Sequence, residues 1–445
     1  MNKTPLITAL LLFASVSQAA QDWPHWRGPN HDGSSAVTGL SLDFDHDKGV
    51  SWVADLAGPG AGTAIIVGEH VYCSATEPEG GLLLALCFDR KSGDVLWERA
   101  AGSGYKPGGK GSLTQMHGRS NYASPSAVAD SERVIFTFGN GDMVAYDTDG
   151  ELLWERNLQQ DFGDFALQWT FSASPTLWEG QLFMPVLQRD QPVSGLGKLG
   201  AESYLLALDP KSGKTNYRHV RPTPARVESR EAYGSLIPFI GANGRKQLVC
   251  VGGDLVSGHD PANGEELWRW GTWNEGNRQR SWRVVPSPVI GNGVALACAP
   301  KGQPIFAVNL GGKGKLQDAA VRWQSSERRS PLTSDVPTPL FYQGSFFVLS
   351  DIRQALSRVD PTTGEIQWTL KMPGDALWRA SPTGADGKIW CINHAGLLAA
   401  VDADSGRLLA EIPMAEDAEQ IRASIAVAHG ALFVRTEQQL FCIGG

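Results

Sequence analysis

The sequence predicts an all-β fold: an eight-bladed β-propeller of four-stranded antiparallel blades, its last blade closed by a strand from the N-terminus. Three observations predict it. One hairpin with a fixed turn chemistry recurs along the 445 residues. A second strand pair, most often opened by Ser-Pro or Thr-Pro, precedes each copy. The final blade starts and does not finish, so its missing strand must come from the other end of the chain.

The hairpin is plainest at Ala355–Trp368, ALSRVDPTTGEIQW. Pro361 presets φ at the first corner of a type I turn, Asp360 accepts backbone N–H groups, and Gly364 takes the left-handed residue that closes a bulged hairpin. The same unit stands at Ala85–Trp97, Met143–Trp154, Leu205–Tyr217, Val256–Trp268 and Leu398–Ala410. A degenerate copy lies at Ile305–Leu316, with Trp323 following. The turns fall roughly 40–60 residues apart, the spacing of propeller blades. The opening pairs include ASPSAVADSERVIFTF, ASPTLWEGQLFMPV, PSPVIGNGVALACA, PTPLFYQGSFFVLS and ASPTGADGKIWCI. An eighth, Ala423–Thr436, is followed only by QLFCIGG, and Gly49–Leu56 carries Trp52 where the other hairpins carry their closing Trp. One blade cannot bury both faces, so blades stack, and a ring locked by the N-terminal strand leaves no open end. The recurrent Trp is then an inter-blade packing residue.

Composition agrees. There are 51 Gly and 15 Trp and few helix-period runs, as in a turn-rich β protein. Met1–Ala20 has Lys3, an apolar core at Leu6–Val16 and a small-x-small site at Ser17-Gln18-Ala19, the pattern of a cleaved leader. The core is too short to span a bilayer, and no Cys near the cut offers a lipid anchor. The expected organisation is a signal peptide at 1–20, an extension at 21–48 and one propeller at 49–445. The mature chain is expected to be periplasmic or secreted, without a lipid anchor or a transmembrane span. A net charge of −8 argues against a nucleic-acid partner. Cys73, Cys250, Cys298 and Cys391 read as one equivalent slot in the second strands, filled elsewhere by Met184, Val348 or Val434; such a slot is apolar packing, so buried thiols are expected. Cys73 and Cys87 are the one pair that reads as a cross-strand disulfide. In the extension, His25, His31 and His46 with Asp43, Asp45 and Asp47 match no standard metal spacing and read as a solvated loop.

Insertions concentrate between blades and between second and third strands. In a propeller these loops share one face, which is the expected binding side. Residues just before each innermost strand there are Arg119, Asn121, Trp169, Glu231, Tyr233, Trp282, Arg283, Asp335, Trp378, Arg379 and Arg422. Asp254, Asp351, Arg353 and His394 join them from the loops between second and third strands. Guanidiniums bind carboxylates in a bidentate way and stack on aromatic planes, so this funnel suits a flat polyanion or a peptide. The blander reading is that these charges pair with one another across a wet channel. Nucleophile-elbow, zinc-helix and phosphate-loop motifs are all absent from the sequence, so no catalytic residue is assigned. His117 and His259 stand alone and read as loop hydrogen-bonders.

The repeat A-[LVY]-D-x-x-[ST]-G-x-x-x-W, with its Ser-Pro openings, resembles the quinoprotein (PQQ) propeller repeat from about Val50 to Ile443. DWPHWRGPNHDG (Asp22–Gly33) resembles the start of a group of exported PQQ-like repeat proteins. The resemblance implies two activities. BamB-type proteins share the ring and bind no quinone. PQQ-dependent dehydrogenases would place PQQ, with calcium, in the Arg/Trp funnel and use a carboxylate such as Glu231 or Asp335 as base. The chain lacks the vicinal Cys pair and haem motif of the dehydrogenases and the lipobox Cys of BamB-type proteins. The expectation is an exported, non-enzymatic propeller that binds a protein, a peptide or a small ligand in the funnel. The alternative is a PQQ-dependent dehydrogenase of an alcohol or sugar.

Overall fold

The computed structural model describes residues 21–104, 120–193, 195–271, 273–326, 330–415 and 420–445. Eight antiparallel sheets form the blades. Blade 1 consists of Ile65–Val67, His70–Glu77, Leu82–Asp89 and Val95–Gly102, from channel to rim. Blades 2 to 7 follow in chain order, with innermost strands at Val128–Ala129, Thr176–Trp178, Ile237–Ile240, Val289–Gly291, Leu340–Tyr342 and Thr383–Ala385. Blade 8 takes three strands from the C-terminus, and Val50–Asp55 pairs with Gln439–Gly444 as its outermost strand, Trp52 opposite Cys442. The expected ring and its N-terminal closure are both present.

The hairpin turn has one job at the rim. Asp360 Oδ1 accepts from the Thr362 and Thr363 backbone N–H groups at 2.8 and 2.9 Å, which shapes the turn. Gly364, at φ +76°, presses its bare Cα on Trp323 of the preceding blade; a Cβ there would lie 2.6 Å from the indole. Trp323 Nε1 donates to Pro361 O of the same turn at 3.0 Å. Four other joints repeat this clamp: Trp52 with Gly93, Trp97 with Gly150, Trp154 with Gly213 and Trp368 with Gly406. Burying an indole is worth roughly 4–6 kcal/mol, against about 1 kcal/mol for its N–H bond. Burial therefore holds the joint, and the bond sets the angle of the ring.

A second seam runs round the channel. Two residues before the first residue of each innermost strand stands a Ser or Thr, and in seven of the eight blades its hydroxyl accepts the N–H of its counterpart on the blade before. Thr63 donates to Ser126, Ser126 to Ser174, Ser235 to Ser287, Ser287 to Thr338, Thr338 to Ser381, Ser381 to Ser424 and Ser424 back to Thr63, all at 2.8–3.0 Å. This explains the repeated Ser-Pro opening. In blade 2 the Ser-Pro pair sits two residues early, and Ser126 fills the position instead.

Four expectations need correction. The degenerate copy at Ile305–Leu316 is not a hairpin. Gly314–Lys315 leaves its blade and adds a parallel strand to the edge of blade 4, beside Trp268 and Arg269, while Val321–Gln324 forms the outer strand of blade 5. The six Cys are free and buried, as expected, but Cys73 with Cys87 forms no disulfide. Cys87 stands opposite Tyr72, not Cys73, so the two thiols project from opposite faces of the blade. Cys298 does not share the common slot; the pairing Val289↔Leu296 puts Ala297 there, one residue earlier. Finally, Gln21–Ser35 is not a solvated loop. It runs across the channel at the end away from the long loops and bonds to the innermost strands or their turns in blades 1, 2, 3, 6, 7 and 8. Arg27, almost fully buried, donates to Pro339 O and Pro382 O at 3.1 Å each, and His25 bonds Leu177 O at 2.8 Å. Burial pushes the His25 imidazole down to about 4, so it is neutral at ordinary pH. Asp43, Asp45, His46 and Asp47 do remain near the surface. Among the described residues no helix is long and apolar enough to cross a membrane.

Candidate functional site

The channel is a cup. Its floor is Trp26 of the N-terminal segment, and its mouth opens on the face of the long loops. The cavity measures about 230 Å³. Alternate residues on each innermost segment point inward, as extended backbone requires. Four residues before each innermost strand lies the upper wall: Ala61, Ser124, Ser172 and Tyr233 from blades 1 to 4, then Val285, Val336, Arg379 and Arg422 from blades 5 to 8. Two residues further on, Ser174, Ser235, Ser381 and Ser424 of the hydroxyl seam show through. Small side chains on blades 1 to 3 leave the space, and larger or cationic ones close the other side. Trp169 and Arg283 reach in from just above.

Among the described residues no Asp or Glu lines this cavity. The carboxylates stand behind the cations. Arg283 donates to both oxygens of Asp335 at 3.4 and 3.3 Å, and its guanidinium lies 5.6 Å over the Trp169 ring. Arg379 donates to Asp351 at 3.3 Å, and Asp351 also accepts the Asp335 N–H at 3.0 Å. Arg422 donates to Gln420 at 2.7 Å. The pairs to Arg283 and Arg379 are long for charge-assisted bonds, so the guanidiniums keep donor capacity toward the cup. Glu231 has no exposed surface; Arg189 and Tyr233 both donate to it. Burial still outweighs the Arg189 charge and pushes the Glu231 carboxyl up to about 7. The same burial, with Glu231 beside it, holds the Tyr233 hydroxyl well above its usual range.

The structure therefore gathers Trp169, Tyr233, Arg283, Arg379 and Arg422 in one cavity and sets Glu231 and Asp335 behind them. Two of the sequence-derived residues turn away. Asn121 is buried, bonds Thr76 at 3.2 Å and shapes its own turn through Ala123. Trp378 is wholly buried, with Nε1 on Pro373 O at 3.1 Å. Trp282 lies beside the mouth and does not line the cavity. Arg119 and His117 lie outside the described residues. Arg353 is exposed, Asp254 bonds Asn274 at 2.9 Å, and His259 is buried between Gly264 O and Ser257. Sequence reasoning missed Trp26 and the inward serines. Counting by twos back from each innermost strand would have found the serines.

Among the described residues no group of three or more His, Cys, Asp or Glu is placed to hold a metal ion. The three guanidiniums suit the carboxylates of a quinone such as PQQ, but the described donors make no calcium cage and no thiol pair stands over the cup.

Among curated proteins none matches the sequence. Solved structures share the fold. A quinohemoprotein alcohol dehydrogenase from Comamonas testosteroni aligns with TM-score 0.65 at 13% identity, over 96% of this chain and 82% of its own. BamB from Moraxella catarrhalis aligns with TM-score 0.58 at 12% identity, over 92% and 100%. A computationally designed protein, Ika8, aligns with TM-score 0.59 at 10% identity, over 88% and 99%. A designed ring scoring level with BamB shows that these likenesses speak for architecture alone. Residues 39–188 and 252–444, more than half of the chain, match the family described as outer membrane protein assembly factor BamB, and the chain belongs to that family.

Proposed function

We propose that the protein is an exported, non-enzymatic binding propeller whose cup takes an anionic group of a protein or peptide partner on the long-loop face. One observation carries this: three guanidiniums and a wall of hydroxyls surround a cavity whose described lining holds no carboxylate, in a chain of net charge −8. Fixed cations inside a walled, low-dielectric cup attract anions far more than the same charges would on an open surface. The blind floor limits the guest to a side chain, a chain end or a small acid. The buried Glu231 has both oxygens engaged and does not line the cup, so it is not itself placed to take a proton from a substrate.

Selection of a random peptide library on the mature protein tests this. Enrichment of acidic side chains or free carboxyl ends is expected, and Arg379→Gln with Arg422→Gln should abolish it. Absence of enrichment sinks the reading. The dehydrogenase alternative has its own outcome: a saturable rise in the unfolding midpoint with PQQ and Ca²⁺, with quinone absorbance kept through desalting.

A further inference from the structure

The hydroxyl seam is broken at one place. Seven of its eight steps carry the N–H to hydroxyl bond described above. The eighth, Ser174 to Ser235, does not: Ser235 Oγ is buried and has no hydrogen-bond partner. Ser235 is only 6% exposed, yet it lines the cavity, as does Ser174. A buried hydroxyl left without a partner costs about 1–3 kcal/mol, so a gap in an otherwise complete seam calls for a ligand.

The chemistry of the gap identifies the ligand group. Ser174 N–H and the Ser235 hydroxyl are both donors, and in the gap neither serves the other. Two donors facing one space are satisfied by an acceptor oxygen. The neighbouring segment, Arg283–Val285, runs alongside Tyr233–Ser235, joined by the Tyr233 N–H to Val284 O bond at 3.0 Å and the Ser235 N–H to Ser287 Oγ bond at 2.8 Å. The Arg283 guanidinium, steadied over Trp169, therefore approaches from the same side. An acceptor beside a guanidinium, with no carboxylate among the described residues of the cavity wall, is best supplied by an anion.

Resting on the reading of the cup as an anion site, we propose that the break between blades 3 and 4 is the seat of a ligand carboxylate. One oxygen accepts from Ser235 Oγ and Ser174 N, and the carboxylate faces Arg283. Two sources present this chemistry: the free end of a peptide and a small carboxylic acid.

Calorimetric titration with two probes separates them. Benzene-1,3-dicarboxylate is compared with its bis-amide, and a glycine–serine hexapeptide ending in phenylalanine is compared with its amidated form. The acids should bind at least tenfold tighter than the amides. Ser235→Ala should weaken the acids about tenfold, the loss of one charge-assisted hydrogen bond, and leave the amides unchanged. Its unfolding midpoint should not fall, because no internal bond is lost. Ser381→Ala, whose hydroxyl is already engaged by Thr338, should lower the midpoint and change affinity less. Tighter binding of the peptide identifies a chain end; tighter binding of the dicarboxylate identifies a small acid; either supports the seat. If the wild type binds the acids and Ser235→Ala binds them equally well, the gap holds only water and the inference falls while the cup stands. If the wild type binds no acid, the cup reading falls and the inference with it.

Discussion

The joint between blades 2 and 3 and the joint between blades 3 and 4 are built from the same repeat and held by different forces. In the first, Trp154 packs under Gly213, its Nε1 reaches Pro210 O at 2.9 Å, and Ser126 N–H bonds Ser174 across the channel seam. In the second, Tyr217 replaces Trp and its hydroxyl is buried without a partner, while the seam is open at Ser235. The repeat contacts weaken at rim and channel alike. What replaces them is polar and buried. Arg221 of blade 3 donates to Ser257, Gly252 O and Leu255 O in blade 4 at 2.9, 2.9 and 3.3 Å, and Arg189 pairs with Glu231 across the same joint. The joint where the seam is open is the one that faces the proposed ligand. A complete seam is closed to ligands, whereas a joint held by non-repeat contacts can leave donors free.

The contrast can be broken at several points. Arg221→Leu should cost roughly 3–5 kcal/mol in urea denaturation, because two buried carbonyls lose their donors along with the packing of the side chain. A loss below about 1 kcal/mol would show that Arg221 does not key this joint. The next effect is one of pH. Glu231 titrates near 7 in the folded chain against about 4.5 unfolded, so the folded state binds the extra proton between these values. Stability should therefore be full below about pH 4.5 and fall as pH rises through 7, by up to roughly 3 kcal/mol. Glu231→Gln should flatten that slope in part, leaving the share of Asp254, which burial also pushes to about 7. A slope unchanged in Glu231→Gln would place the titration elsewhere. At the regular joint, Gly213→Ala should cost roughly 2–3 kcal/mol, since its φ is +67° and the new methyl meets the Trp154 indole at 2.6 Å. Smallest is a pair of rim variants. Trp154→Phe should lose about 1–2 kcal/mol with its N–H bond and part of its area, whereas Tyr217→Phe should be neutral or slightly stabilising, because its hydroxyl has no partner to lose. Equal losses in the two would erase the contrast.

Different parts of the molecule were legible to different degrees. The rim was readable because each clamp is local: Asp, Gly and Trp lie within one hairpin, and their spacing is the signal. Blade 5 misled because its Gly-rich stretch has the composition of a turn, and only edge pairing with blade 4 shows where Gly314–Lys315 belongs. The cup was half readable. Arg283, Arg379 and Arg422 stood out as charges before innermost strands, but Asn121 and Trp378 occupy similar places and turn into the joints. The parity of a residue along an extended segment decides which way it faces, and a shift of one residue reverses it.

By itself the sequence determined the repeated ring and the chemistry of its turns and pointed to eight blades closed by the N-terminal strand, which the eight sheets bear out. These follow from short-range patterns repeated often enough to exclude chance. Only the tertiary structure decided that Gln21–Ser35 floors the channel, that the thiols of Cys73 and Cys87 face apart, and that the hydroxyl seam stops at Ser235. Each depends on groups brought together from distant parts of the chain or from neighbouring strands, where register and burial rather than residue type set the outcome.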